Sequence, residues 1–346
     1  MNGLMNRFLP YDDELAKQIN SAADELLKKL QQIDADALGM PDYCLYYFKA
    51  SHTTRLFFSI ETSAHILYRS IKLCNKNPDD VVFMDYGAGV GTLFLLAKLI
   101  GCKKVVYSDH LDDWRKSAAL IANAINIHID HFIVGDIGDC VEELSRLNVQ
   151  CDIIASRNVI EHIYKLDEFY TAIHRTQKRA IVFSSTTANR SNPAALIKHQ
   201  LWHKKWEKVY RGKRLQMIDR LAPGMLSFRK NKLARATRGL AASDLEHAVE
   251  QYRQSGHLPD PAVYGTNTCD PDNGVWAEHI ISMPAYRNLI GDNFDVSFAP
   301  GFWDTHYHSA YKNRIATMLN KVISRGGSIA MKLAPFMYVI ARPKQS

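Results

Sequence analysis

The sequence lacks several features that define common classes of protein. Its six cysteines include no Cys-x-x-Cys pair, which argues against a structural zinc site and against a disulfide framework. No segment approaches the roughly 18 uncharged apolar residues of a membrane-spanning helix, and the N-terminus lacks the basic-then-apolar layout of a signal peptide. We therefore predict a cytoplasmic protein with no membrane span.

The composition is that of a globular protein with an uneven distribution of charge. The chain has 346 residues, 47% of them hydrophobic, enough for a large core in one elaborated domain or two small ones. Its net charge is +7, but residues 198–238 contain thirteen Lys or Arg against two acids, a net +11. Such a segment suits an anionic substrate, a nucleic acid or a membrane surface, or forms a solvated helix face.

Strand and helix patterns alternate through the middle of the chain. The predicted strands span residues 81–84, 103–109, 131–135, 151–156 and 179–185, and the predicted helices between them span 92–100, 112–124, 141–147 and 166–175. This alternation is typical of a doubly wound α/β sheet. Before it, helical periodicity predicts helices over residues 12–33 and 56–74.

A glycine-rich turn follows the first predicted strand. We expect Gly87, Gly89 and Gly91 to adopt positive φ angles and to bring the backbone close to a ligand at the start of the next helix. The G-x-G-x-x-G spacing of a dinucleotide site is absent, because Thr92 occupies its last position.

The pattern Asp85-x-Gly87-x-Gly89-x-Gly91 resembles the first motif of the class I S-adenosylmethionine (SAM)-dependent methyltransferases. The resemblance implies that SAM is the cofactor, that S-adenosylhomocysteine (SAH) is the product, and that this turn, including Ala88, binds them. The resemblance extends to about residue 187 and concerns the cofactor half of the chain.

Polar residues after the next three strands continue the resemblance. Asp109, followed by His110, ends the second strand, where the resemblance implies hydrogen bonds to the ribose hydroxyls. Asp136 and Ile137 end the third strand and resemble the pair that contacts adenine. Asn158 follows the fourth strand and is implied to contact the methionine part of the cofactor.

The resemblance implies a mostly parallel, seven-stranded, Rossmann-like sheet. We divide the chain into an N-terminal helical segment that covers the pocket (1–78), a SAM-binding core (79–190), an inserted, basic and mainly helical substrate cap (191–293), and the last two strands of the sheet (294–346). We predict these antiparallel strands at 294–298 and 331–342, with a helix over 309–323 that ends at Gly326-Gly327.

Few residues in the sequence are candidates for roles other than cofactor binding. His162 is the candidate general base, with Glu161 beside it, because both follow the fourth strand and resemble the apolar-Glu-His sequence of ubiquinone-biosynthesis-type methyltransferases. The alternative for His162 is that it only begins the next helix or orients a loop. Candidate substrate contacts are Tyr47, His199, Trp202, Trp276, His279 and Trp303. We assign no metal site.

The predicted function is methyl transfer from SAM to a small-molecule acceptor, chiefly to a hydroxyl of a sugar, phenolic or polyketide-like compound. One alternative is a methyltransferase acting on nucleic acid or another polyanion through residues 198–238. A second alternative is a protein that binds SAM or SAH without catalysis. The sequence does not indicate an oligomeric state.

Overall fold

The strands form a single mixed sheet in a computed structural model that describes residues 7–344. Its order is β3-β2-β1-β4-β5-β7-β6. The strands are β1 (Val82–Tyr86), β2 (Lys104–Asp109), β3 (His131–Val134), β4 (Ile153–Arg157), β5 (Ile181–Thr186), β6 (Phe294–Pro300) and β7 (Met337–Pro343). The predicted fold class is confirmed.

Five strands are parallel, and β7 runs antiparallel to both of its neighbours, β5 and β6. The chain order reverses beside β1, which pairs with β2 on one side and with β4 on the other. In an open α/β sheet, ligands bind outside the carboxyl ends of the strands at such a switch point.

Helices cover both faces of the sheet. They are α1 (Glu14–Gln31), α2 (Asp42–Tyr47), α3 (Leu56–Cys74), α4 (Leu93–Leu99), α5 (Asp112–Ala124), α6 (Ile137–Arg146) and α7 (Leu166–Thr176). Successive strand residues point to opposite faces, so Phe83 of β1 belongs to the hydrophobic core on one face and Met84 to the core on the other. Each face of the sheet therefore has a core of its own.

The segment between β5 and β6 is mostly helical. It contains α8 (Pro193–Leu221), α9 (Ser227–Ala236), α10 (Ala242–Ser255) and α11 (Met283–Ile290), with an irregular stretch between the last two. Ile218, Leu233, Leu245 and Val249 are buried together in a third, smaller core. The domain boundaries given above stay predictions.

The start of the last strand and the start of α6 differ from the predicted positions by four or more residues. After α12 (Ala310–Ile323), Gly326 and Gly327 have positive φ and lead into a further helix, α13 (Gly327–Leu333). The last strand consequently begins at Met337, and the prediction that it begins at residue 331 is wrong. The helix α6 begins four residues before the predicted start, because Asp136 accepts hydrogen bonds from the backbone N–H groups of Gly138 and Asp139 and caps it.

No helix within residues 7–344 is long and apolar enough to cross a membrane.

Candidate functional site

A cavity of about 570 Å³ opens at the carboxyl ends of β1, β2 and β4. Its size falls in the range of small-molecule sites. The wall is built from the glycine turn and from strand ends on either side of the switch point. The lining residues are Tyr47, Asp85, Tyr86, Gly87, Ala88, Gly89, Val90, Gly91, Thr92, Leu93, Asp109, His110, Trp114, Asp136, Arg157, Asn158, Val159, His162, Ile163 and Val275.

The three glycines of the turn differ in backbone conformation and in the space around them. Gly87 has φ +66°, and a Cβ on it would lie 2.6 Å from a methyl carbon of Val159. Gly89 has φ +53°, and a Cβ on it would meet nothing within 4 Å. Gly91 does not have a positive φ, contrary to our expectation; there a Cβ would lie 2.8 Å from the carbonyl oxygen of Ala88. Only Gly89 thus leaves unfilled space beside the backbone.

Asp85 supports the turn from within the sheet. It is buried, and its Oδ2 accepts a hydrogen bond of 3.0 Å from the backbone N–H of Phe94 in the first turn of α4. Burial raises the pKa of Asp85 to about 7, although the nearby Arg157 guanidinium acts in the opposite direction. A carboxylate that lines the cavity also anchors the helix after the glycines.

Asp109 connects β2 to the glycine turn. Its Oδ2 accepts a hydrogen bond of 2.9 Å from the N–H of Gly89, and its Oδ1 lies 3.1 Å from Nδ1 of His110. That contact raises the pKa of His110. The Asp109 carboxylate is buried and also lines the cavity. Its side chain therefore has little freedom to move and presents acceptor oxygens to a ligand in a fixed position.

Arg157, at the end of β4, lines the cavity and was not among the predicted site residues. Its Nη1 donates to the carbonyl oxygen of Ser59 at 2.9 Å, to Oγ of Ser59 at 2.7 Å and to Oγ1 of Thr62 at 3.1 Å. The helix α3 therefore holds a cation against the cavity. A charged residue that ends an otherwise apolar strand was the available signal in the sequence.

The predicted pair Asp136 and Ile137 lies in two different environments. Asp136 lines the cavity while one of its oxygens, Oδ1, caps α6. Ile137 packs against the hydrophobic core instead and is not part of the cavity wall. Its predicted contact with adenine stays a prediction.

Asn158 lines the cavity and has a positive φ of 58°, and its predicted contact with the methionine part of the cofactor stays a prediction. Its backbone N–H donates to the carbonyl oxygen of Ser185 at 2.9 Å. An asparagine tolerates this left-handed conformation better than most residues.

Of the two candidate catalytic residues, only His162 reaches the cavity. Its Nδ1 lies 2.8 Å from the carbonyl oxygen of Trp276; since a carbonyl only accepts, Nδ1 carries the hydrogen. Glu161 is fully buried behind the wall, where its Oε1 accepts a hydrogen bond of 3.1 Å from the N–H of Thr187. Burial raises the pKa of Glu161 to about 7.

The predicted substrate contacts are mostly elsewhere. Tyr47 lines the cavity and meets Trp114 edge to face, with 5.2 Å between ring centroids. Trp276 is buried and stacks on His279 at 4.1 Å, so only its neighbour Val275 reaches the cavity. Burial lowers the pKa of His279 to about 4.

The remaining three predicted contacts lie outside the cavity wall. Trp303 donates from its indole nitrogen to the carbonyl oxygen of Leu333 and belongs to a small separate core. Trp202 is exposed on α8. His199 is on the buried side of α8, where its Nε2 lies 3.1 Å from the carbonyl oxygen of Thr187. Their roles as substrate contacts stay predictions.

Part of the basic segment has a structural use. Arg214 is fully buried and donates to Glu207 and to two carbonyl oxygens, those of Ala234 and Arg238. Lys213 pairs with Asp270 and with Asp272. The net charge of this segment therefore overstates the positive surface that it offers to a polyanion.

No family model and no curated protein matches the chain. Similar solved structures include a SAM-dependent methyltransferase from Mesorhizobium loti, with 12% identity over 80% of this chain and 97% of that one and a TM-score of 0.39. A putative RNA methyltransferase from Pyrococcus horikoshii has 18% identity over 47% and 71%, with a TM-score of 0.32. A putative methyltransferase complexed with SAH has 14% identity and a TM-score of 0.29, and the match covers 38% of this chain and 37% of that protein.

Proposed function

We propose that the protein is a SAM-dependent methyltransferase that methylates a hydroxyl of a small-molecule acceptor. The observation that carries the proposal is the convergence of the glycine turn, Asp109 and Arg157 on one cavity at the switch point of the sheet. A nucleoside bearing a sulfonium and a free amino acid presents hydroxyls, a positive charge and a carboxylate, and this wall has a complementary group for each.

The contacts of the cavity-lining residues are compatible with this cofactor. The open space beside Gly89 allows close approach of a ligand to the backbone. Asp109 presents a fixed carboxylate for the ribose hydroxyls, and Asp136 keeps its Oδ2 available for the adenine amino group. Arg157 is a partner for the carboxylate of the methionine part, in a charge-assisted contact.

Methyl transfer from a bound sulfonium needs a nucleophile held in line with the methyl group. The cofactor supplies the methyl group, and the protein positions the acceptor and excludes water. Tyr47, Trp114, Ile163 and Val275 provide aromatic and apolar surface in the same cavity, which suits a phenolic or other ring-containing acceptor. His162 is the imidazole nearest to the fourth strand end and the candidate to accept the hydroxyl proton.

Calorimetry with SAH tests the cofactor assignment. We expect wild-type protein to bind one equivalent and Asp109→Ala to bind at least about tenfold more weakly, since a hydrogen bond to a charged group contributes about 1.5–3 kcal/mol. Asp112→Ala, on the exposed start of α5, is the matched control and should bind like wild type. Equal affinities for the Asp109 variant and the control would contradict the assignment.

Incubation with methyl-labelled SAM and a cell extract tests the acceptor class. We expect a labelled compound other than SAM, resolved from it by chromatography, in the fraction that passes a small-pore ultrafiltration membrane without nuclease treatment. Retained label that only nuclease releases would instead favour the polyanion alternative, which predicts steeply salt-dependent binding of nucleic acid. SAH binding without any labelled product would favour the non-catalytic alternative.

A further inference from the structure

A compact group of acceptor side chains lies directly behind the cavity wall. Glu161, His162 and Glu278 each offer a possible ligand atom, and these atoms lie within 4.8 Å of one another. His162 also lines the cavity, whereas Glu161 is fully buried and the Glu278 side chain is 14% exposed. The three residues come from the loop after β4 and from the irregular stretch after α10.

The imidazole of His162 in this group and that of His199 beside it each donate an N–H to a backbone carbonyl oxygen. In its neutral form, His162 donates from Nδ1 to the carbonyl oxygen of Trp276, which leaves the lone pair on Nε2. His199 likewise donates from Nε2 to the carbonyl oxygen of Thr187, and its Nδ1 lies 3.9 Å from Oε2 of Glu278. Metal-binding histidines characteristically donate their second nitrogen to a carbonyl in this way.

The group has more acceptors than donors. Oε2 of Glu161 and Nδ1 of His199 are buried and have no hydrogen-bond partner. The hydroxyl of Thr187 lies 3.4 Å from Glu161 Oε1 and 3.0 Å from Glu278 Oε2, but it has one hydrogen to donate. Buried acceptors without a donor are costly, so the arrangement calls for a positive charge between them.

The backbone at Glu278 is strained in a way that orients its carboxylate. Glu278 has a φ of +65°, a conformation that disfavours residues with a Cβ. Its carbonyl oxygen accepts a hydrogen bond of 2.8 Å from Nε2 of His203, and the N–H of His279 donates to the carbonyl oxygen of Glu161 at 2.8 Å. The surrounding contacts thus hold Glu278 beside Glu161.

We propose that Glu161, His162 and Glu278 form a binding site for one divalent metal cation, with His199 as an adjacent nitrogen donor. Two carboxylates and imidazole nitrogen suit a borderline ion of the Mn²⁺ or Zn²⁺ type. A single shared proton would satisfy two of these acceptors, whereas a divalent ion balances the charge of both carboxylates and accepts the imidazole lone pair.

The proposed ion site adjoins the cavity. Because His162 lines the cavity, we place an ion bound to its imidazole at the cavity wall, next to the acceptor. This consequence rests on the proposed methyltransferase function, whereas metal binding itself does not. With an ion bound, His162 acts as a ligand and the ion lowers the pKa of a coordinated hydroxyl.

Metal titration of the full chain tests the site. Protein stripped with a chelator and titrated in separate calorimetry experiments with MnCl₂ and ZnCl₂ should bind one equivalent of at least one ion. Glu278→Gln and Glu161→Gln should each weaken that binding by at least about tenfold. Glu246→Gln, the same chemical change at an exposed position of α10, should bind like wild type.

A spectroscopic measurement on the wild type guards against variants that misfold. Co²⁺ added to stripped wild-type protein should produce a visible absorption band characteristic of protein ligands, and Zn²⁺ should abolish it. Absence of stoichiometric binding by the wild type, or unchanged binding by a Glu278→Gln protein with a native circular dichroism spectrum, would overturn the proposal. Metal binding without SAH binding would reject the proposed function and leave this site intact.

Discussion

At the scale of single residues, Gly87 and Gly89 share a left-handed backbone and differ in what surrounds them. A Cβ at Gly87 would clash with Val159, whereas one at Gly89 would enter open space at the cavity. The first glycine is therefore required by protein packing. The second leaves room for a ligand, which provides a way to separate folding from binding.

We expect Gly89→Ala to weaken SAH binding by at least about tenfold while lowering the free energy of unfolding by only about 1–2 kcal/mol, the cost of a left-handed alanine. Gly87→Ala should lower both the SAH affinity and the free energy of unfolding by more, because the clash with Val159 adds to the same backbone cost. Calorimetry with SAH and urea denaturation measure the two effects. Gly212→Ala, at a half-buried position of α8 where a Cβ meets nothing within 4 Å, is the control for SAH binding, and wild-type SAH affinity in Gly89→Ala would contradict this use of the space.

The predicted cofactor residues show what a linear motif can and cannot predict. Asp85, Asp109 and Asp136 were placed at the cavity from their positions at strand ends, and all three line it. Ile137 was placed there by the same motif, but the cap made by Asp136 begins α6 and directs Ile137 into the core. Side-chain direction after a cap depends on helix geometry that the motif does not specify.

At the scale of elements, α8 is held to its neighbours by a buried charge. Arg214 is 0% exposed, and its guanidinium bonds Glu207 on the same helix and the carbonyl oxygens of Ala234 and Arg238 after it. These contacts fix the angle at which the helical hairpin of α8 and α9 closes.

Replacing Arg214 by Leu should lower the free energy of unfolding by on the order of 3 kcal/mol, since Glu207 loses its fully buried cationic partner and the carbonyl oxygen of Ala234 loses this donor. Arg220→Leu, exposed near the end of the same helix, should change it by less than about 0.5 kcal/mol. Urea denaturation followed by circular dichroism measures both. Similar losses for the two variants would show that the network does not stabilise the hairpin.

Element boundaries followed local signals closely wherever those signals were complete. The helix α12 ends where glycines follow it, as predicted, but the same glycines lead into α13 and delay β7. Apolar residues such as Met331 fit a strand or a buried helix equally well. The tertiary packing of the segment decides between the two.

At the scale of the whole molecule, buried carboxyl groups make stability depend on pH. Burial raises the pKa of Glu61 to about 8, and Oε2 of this residue has no hydrogen-bond partner. Because the folded-state pKa lies above that of the unfolded chain, the folded protein binds the extra proton. This contribution to stability is fully present below about pH 4.5 and is lost as pH rises toward 8.

Glu61→Gln should therefore gain stability relative to wild type between pH 5 and pH 8, by about 1–2 kcal/mol once partial exposure is considered. Urea denaturation at the two pH values measures the difference. Glu246→Gln is the exposed control and should show the same pH dependence as wild type. A Glu61→Gln protein whose stability relative to wild type is the same at both pH values would contradict the assignment.

The sequence by itself determined the alternation of strands and helices, the glycine turn and the acids at the strand ends, because periodicity, turn chemistry and caps act between residues close in the chain. Tertiary structure alone decided that Ser59 and Thr62 of α3 hold Arg157 at the cavity, that Glu278 lies beside Glu161, and that Trp276 and Trp303 are packed away from the cavity. Those contacts join segments far apart in the chain, and their positions depend on how whole elements pack.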